Sequence, residues 1–354
     1  MRSNPIRRLV LGALLFTLLI PAGELAALAQ SKGKQPPPPP EQAPGGFSIS
    51  VTVPVVSVDV VVTDNNGNYL TGLKKENFRI TEDGTVQEIS NFAPTDAPIT
   101  IVMLLEFSKL GYQIFSANAI NWAAAFLGNL KATDWVALET FNMRSHVDVD
   151  FTHDGKEVLQ GLSQLYYPPF SESNLFDAIS DVLDRMKDVK GKKSILVLAS
   201  GLDTFSKMNL DQAMKRIRET DATIFTVGVG AQLFMRAEMG DSGGGFGAQL
   251  NYIQAENQMR TFASMTGGRS WFPRFDGEIP SIMKDVAASL RNQYSMAYSP
   301  SNNSNDGKYR KIKVELVAPD GGPLTVNDQK GKKVKFQVYA RQGYTALKSS
   351  AETK

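Results

Sequence analysis

Cysteine is absent from this chain, and histidine occurs only twice, at His146 and His153. Thiol nucleophiles, cysteine-bound zinc, disulfides and a lipidated-cysteine anchor are therefore excluded. Two histidines leave little room for a Ser-His-Asp triad or a histidine-rich metal centre. A His-Glu-x-x-His helix is missing, and a nucleophile elbow is not expected. A surplus of charge is missing too. Residues 1–29 carry Arg2, Arg7, Arg8 and Glu24, so their removal takes the formal charge from +2 to zero. A neutral chain has no electrostatic footprint for nucleic acid or anionic lipid.

The N-terminus reads as a secretory signal. The apolar run Leu9–Ile20 follows the three arginines, and Ala27-Leu28-Ala29 offers a small-x-small cleavage site. The other reading is an uncleaved anchor, but a spanning helix needs about 20 apolar residues and this run ends sooner, at Pro21. Residues 30–48 then form a linker around Pro36–Pro40, either an extended spacer or a ligand for a proline-binding partner. No membrane span is expected after cleavage.

Two changes of pattern divide the remainder. Residues 49–96 alternate with period two, as in Ser57–Thr63, Phe78–Thr81 and Val86–Phe92, and carry turns at Asp64–Asn68 and Glu82–Thr85. Residues 97–293 alternate apolar strands with helical patterns. The strands are Ile99–Glu106, Trp135–Phe141, Ser194–Ala199 and Thr223–Val229; Val147–Phe151 reads as an antiparallel edge. Helices are expected over Ser116–Leu127, Gly155–Leu165, Asn174–Val189, Asp211–Thr220, Ile253–Thr266 and Ile279–Gln293. This order predicts an α/β fold with a doubly wound, mostly parallel, Rossmann-like sheet. Residues 294–346 return to strands before a short tail, 347–354. Neither β segment is large enough to close a core alone, so the two are expected to pair as one β-sandwich. Phe234–Gly247, with five glycines, lacks a Gly-Lys-Ser/Thr sequence and reads as an insertion. Trp122, Trp135 and Trp271 are expected in the core. Asp148 with Asp150, and Asp177 with Asp181 and Asp184, read as solvated faces.

A strand ending in Glu106-Phe107-Ser108-Lys109-Leu110, then helices, then a strand ending in Ser200-Gly201-Leu202-Asp203 resembles the von Willebrand factor type A domain. Val60–Asp64, Gly72-Leu73, Asn77-Phe78, Glu82-Asp83-Gly84, Tyr298 and Arg341-Gln342-Gly343-Tyr344 extend the likeness over residues 49–346, to exported acidobacterial-type proteins related to that domain. The resemblance implies a metal-ion adhesion site: an Asp-x-Ser-x-Ser loop, a threonine from a second loop and an aspartate from a third. Mg²⁺, a hard ion wanting six oxygens, suits such a site. Here the first aspartate position holds Glu106, and the first serine is kept as Ser108. Leu110 stands at the second serine and cannot ligate. Ser173 takes the threonine position, Ser200 takes that of the third-loop aspartate, and Asp203 is a further acidic position. The expectation is a degenerate site that holds Mg²⁺ weakly or not at all, with no other cofactor. Helix N-capping is the alternative role for Ser108 and Ser173.

These features describe an exported, periplasmic or extracellular, non-enzymatic module that binds an unidentified protein partner. Tyr166, Tyr167 and Phe170 are the candidate anchors, because aromatic residues dominate interface energetics; the other reading is that this run packs on neighbouring helices. A hydrolytic α/β enzyme and a structural subunit of an envelope assembly are the alternative functions.

Overall fold

The computed structural model describes residues 55–94, 97–109, 112, 115, 118–233, 246–327 and 333–348. The signal-peptide and linker assignments, Leu110 and most of the glycine-rich stretch lie outside these residues.

Four strands come first: β1 (Val56–Asp64), β2 (Phe78–Glu82), β3 (Thr85–Gln87) and β4 (Ile89–Pro94). The α/β layer follows as β5 (Ile99–Glu106), α1 (Ala119–Leu127), β6 (Trp135–Phe141), β7 (Ser145–Thr152), α2 (Gly155–Ser163) and α3 (Leu175–Met186). It continues through β8 (Lys192–Ala199), α4 (Leu210–Glu219), β9 (Thr223–Gly228), α5 (Phe246–Thr266), β10 (Ser270–Trp271) and α6 (Ile279–Arg291). Six strands close the chain: β11 (Gln293–Tyr298), β12 (Tyr309–Leu316), β13 (Val326–Asn327), β14 (Lys333–Val334), β15 (Phe336–Ala340) and β16 (Gly343–Thr345).

The central sheet runs β10-β9-β8-β5-β6-β7, parallel except for β7 at its edge. Strand β5 shows why it lies inside. Ile99, Ile101, Met103 and Leu105 face a core closed by α1, α2 and α6, while Val102 and Leu104 face a second core under α3, α4 and α5. A strand apolar on both faces buries itself only with helices on both sides, which is the doubly wound arrangement.

The β segments interleave. One four-stranded sheet has the order β15-β1-β11-β4 and the other β16-β12-β2-β3, so each combines strands from before and after the α/β layer. Val58, Val60 and Val62 of β1 share a core with Phe78, Ile80, Met296, Tyr298 and Ile312. At its margin the Tyr298 and Tyr344 hydroxyls both donate to Glu82 Oε2, at 2.7 and 3.0 Å.

Some expectations change. Trp135 is exposed, its ring lying tilted against His153 with centroids 3.7 Å apart. As the first residue of β6 it lies at the sheet's rim, where no helix covers it. Gln293 leaves the last helix and opens β11, and α5 begins at Phe246 instead of Ile253. Asp148 is half-buried against Thr140, and burial pushes its carboxyl up, whereas Asp150 stays exposed as expected while pairing with Arg185. Asp177, expected on a solvated face, instead accepts from the Lys207 and Met208 amides at 2.9 and 3.0 Å.

Candidate functional site

The site follows from sheet order. Glu106 ends β5 and Ser200 follows β8; these strands are parallel neighbours whose register sets Leu105 beside Leu198. The two positions, far apart in sequence, are therefore adjacent at the carboxyl end of the sheet, where open α/β sheets place their sites.

Glu106 is fully buried. Its Oε1 accepts from Ser108 Oγ at 2.8 Å. Its Oε2 accepts from the Ser200 amide and the Ser200 hydroxyl, both at 2.7 Å. Burial raises the carboxyl above its ordinary range, opposed by these donors. Gly201 supports the turn, with φ of +84° and only 2.7 Å between Met259 Sδ and the place a Cβ would occupy. The second loop is tied to the third: the Ser173 amide donates to Thr204 Oγ1 at 2.9 Å, and the Thr204 and Phe205 amides donate to the Ser173 carbonyl at 2.8 and 2.9 Å.

Asp203 does not join this group. Its Oδ1 accepts from the Phe176 amide at 3.1 Å and from Ser206 Oγ at 2.5 Å, so it caps the first turn of α3. Burial raises its carboxyl as well. Ser108 stands directly before a helical turn, its carbonyl accepting from the Tyr112 amide at 2.9 Å, whereas Ser173 is not an N-cap because Asn174 holds that position before α3. Ser108 Oγ donates to Glu106, and Ser173 Oγ, though buried, has no hydrogen-bond partner among the described residues. Since none of the described residues bonds that hydroxyl, Ser173→Ala is expected to leave stability unchanged or raise it by up to about 1 kcal/mol. Urea denaturation checks this; a loss above about 1 kcal/mol would show that the hydroxyl is satisfied by something bound there.

A resident Mg²⁺ does not fit these residues. The single converging carboxylate already accepts three hydrogen bonds, Asp203 is committed to a helix end, and the Leu110 side chain has no oxygen to offer. No three His, Asp or Glu side chains gather into a metal cluster among the described residues.

Around the site lies an aromatic rim. Tyr166 is 90 % exposed, and Tyr167, Phe170 and Phe205 are also exposed. Tyr167 meets Tyr112 edge-on at 4.7 Å, and Tyr112 meets Phe107 edge-on at 5.7 Å. The Lys109 amide donates to the Phe170 carbonyl at 2.6 Å, fastening this loop to the end of β5. Pro168 alone of the run Tyr166–Phe170 is buried. Sequence reasoning missed Phe205 and Thr204; an aromatic residue in a turn just beyond a buried strand was the available signal.

A cavity of about 780 Å³ lies at the opposite, amino end of the sheet. Its cations are already engaged: Lys192 with Asp59, Lys193 with Asp221, and Arg341 with the carbonyls of Thr220 and Gly343. The letters Gly-x-Ser-x-Gly do occur once, at Gly240–Gly244, contrary to the expectation of none. They lie outside the described residues, and β9 ends well before them, at Gly228, whereas a nucleophile elbow follows its strand directly.

A parallel sheet between two helical layers, with three polar loops meeting at its carboxyl end, defines the class of the von Willebrand factor type A fold. Residues 101–268 match the family model for the von Willebrand factor type A domain, and the chain carries a domain of that family. No curated protein matches the chain. Solved structures similar to it include a von Willebrand factor type A protein from Catenulispora acidiphila, 8 % identical, covering 82 % of this chain and 74 % of that one, with a TM-score of 0.42. The von Willebrand factor domain of the type V pili tip protein Mfa5 from Porphyromonas gingivalis is 12 % identical, covering 55 % of this chain and 96 % of that one, at a TM-score of 0.41. Proximal thread matrix protein 1 from the mussel byssus is 11 % identical, covering 55 % of this chain, with a TM-score of 0.41; the present chain spans 49 % of its length. Among the described residues no helix is long and apolar enough to cross a membrane.

Proposed function

We propose that the chain is an exported, non-enzymatic interaction module that captures a protein partner at the carboxyl end of its parallel sheet, without a resident metal. The exposed aromatic rim of Tyr166, Tyr167, Phe170 and Phe205 carries this reading. These rings lie on loops held to one another by backbone hydrogen bonds, so they form a preordered surface. Aromatic anchors on an ordered surface lose little conformational entropy on binding. The signal-like N-terminus supports export, and a chain with two histidines and no cysteine supports a non-catalytic role.

Affinity capture from native envelope, with the protein immobilised and captured chains identified by mass spectrometry, tests the reading. Tyr167→Ala/Phe170→Ala is expected to weaken partner binding by about 100-fold or more. Its melting temperature should change by less than about 3 °C, since the truncated rings are exposed. Undiminished capture would overturn the reading, and a large fall in melting temperature would assign the rings to packing instead.

A further inference from the structure

We infer that Glu106 and Ser200 together replace the cation of this site: a carboxylate–serine clasp holds the β5 and β8 loops where an ion would otherwise bridge them. The inference rests on the metal-free reading above and gives it a structural cause.

Two carboxylates facing each other across the ends of β5 and β8 repel, and a cation between them relieves the repulsion. In this chain one of the two positions is a serine, whose amide and hydroxyl both donate to Glu106 Oε2 at 2.7 Å. The other is a glutamate, longer than aspartate by a methylene, a reach of about 1.5 Å. The two departures from the family pattern suit each other. An aspartate at the first position would fall short of Ser200, and a carboxylate at the second would place acceptor against acceptor. Ser108 closes the arrangement from the other oxygen, at 2.8 Å. The ends of β5 and β8, to which the Tyr166–Phe170 loop is tied through Lys109 and Phe205, are thus ordered by hydrogen bonds alone, and the rim presents the same surface whether or not divalent cations are present.

The test uses the full chain and thermal unfolding with MgCl₂ or EDTA. Wild-type protein is expected to shift by less than about 1 °C between the two conditions. Ser200→Asp, which restores the opposed carboxylates, should melt about 5 °C or more lower in EDTA and regain at least half of that loss at about 5 mM Mg²⁺. Ser200→Asn has the same shape but an amide donor, so it should stay near wild type and ignore Mg²⁺. A saturable Mg²⁺ shift in the wild type, Ser200→Asp as stable as Ser200→Asn in EDTA, or a loss that Mg²⁺ does not reverse would each overturn the inference. If Ser200→Asp folds only when Mg²⁺ is supplied, the inference is supported, with Ser200→Asn showing that the position tolerates the bulk. Partner capture is measured separately with the wild type in EDTA. Failure of the clasp with capture intact would leave the interaction reading standing, and loss of capture in Tyr167→Ala/Phe170→Ala does not bear on the clasp.

Discussion

Glu106→Ala is expected to cost about 3 kcal/mol of folding stability, one of the two largest losses foreseen here. The carboxylate accepts from Ser108 Oγ, the Ser200 amide and Ser200 Oγ, and it is fully buried. Truncation leaves the Ser200 amide without its acceptor and opens a cavity at the sheet end. The hydroxyls can rotate toward other oxygens, but the backbone amide cannot, so most of the hydrogen-bond cost falls on Ser200. For a chain of this size the loss corresponds to roughly 6–12 °C in melting temperature. Glu106→Gln, which keeps the volume, should lose less than Glu106→Ala. Thermal and urea unfolding of both variants check this, and an alanine variant within about 1 kcal/mol of wild type would remove the clasp's structural role.

Asp134→Ala is expected to be comparably damaging, at about 3–5 kcal/mol. Asp134 is buried at the loop before β6. It accepts from the Ile99 amide at 3.1 Å and the Lys131 amide at 2.7 Å, and it pairs with the Arg291 guanidinium. One carboxylate thereby joins the start of β5, the α1–β6 loop and the end of α6. Removing it takes this counter-charge from a largely buried cation, which is costlier than losing the pair as a whole. Asp134→Ala/Arg291→Met should therefore be more stable than Asp134→Ala alone, and urea denaturation of both variants decides it. A double variant no better than the single would show that the amide contacts, not the charge, dominate.

Much of the architecture was legible in local pattern. Ile99–Glu106 has Ile99, Ile101, Met103 and Leu105 on one face and Val102 and Leu104 on the other, and that places it inside a covered sheet. Gly155–Ser163 and Leu210–Glu219 carry their apolar residues at helical spacing, and both helices lie where the period puts them. The insufficiency of each β segment foretold their pairing, because neither has enough strands to bury its own apolar face. Trp135 was misplaced for the same local reason. It opens the apolar run Trp135–Leu138 as the first residue of β6, but the run says nothing of where the helical layer ends.

The site was less legible. Motif position located Glu106, Ser108, Ser173 and Ser200, but not what each does. Asp203 stands in the expected turn and still serves a helix end, since the Phe176 amide is within reach of its carboxylate. Asp177 is likewise drawn from solvent by two loop amides that no helical spacing reveals.

Sequence alone determined the fold class, the cysteine-free chemistry, and the loss of ligand types from the metal pattern, because periodicity and side-chain identity are properties of the chain itself. Only the tertiary structure decided that Glu106 is bound by a serine 94 residues away. That partnership depends on β5 and β8 lying side by side in parallel, and on a glutamate long enough to span the gap between their ends.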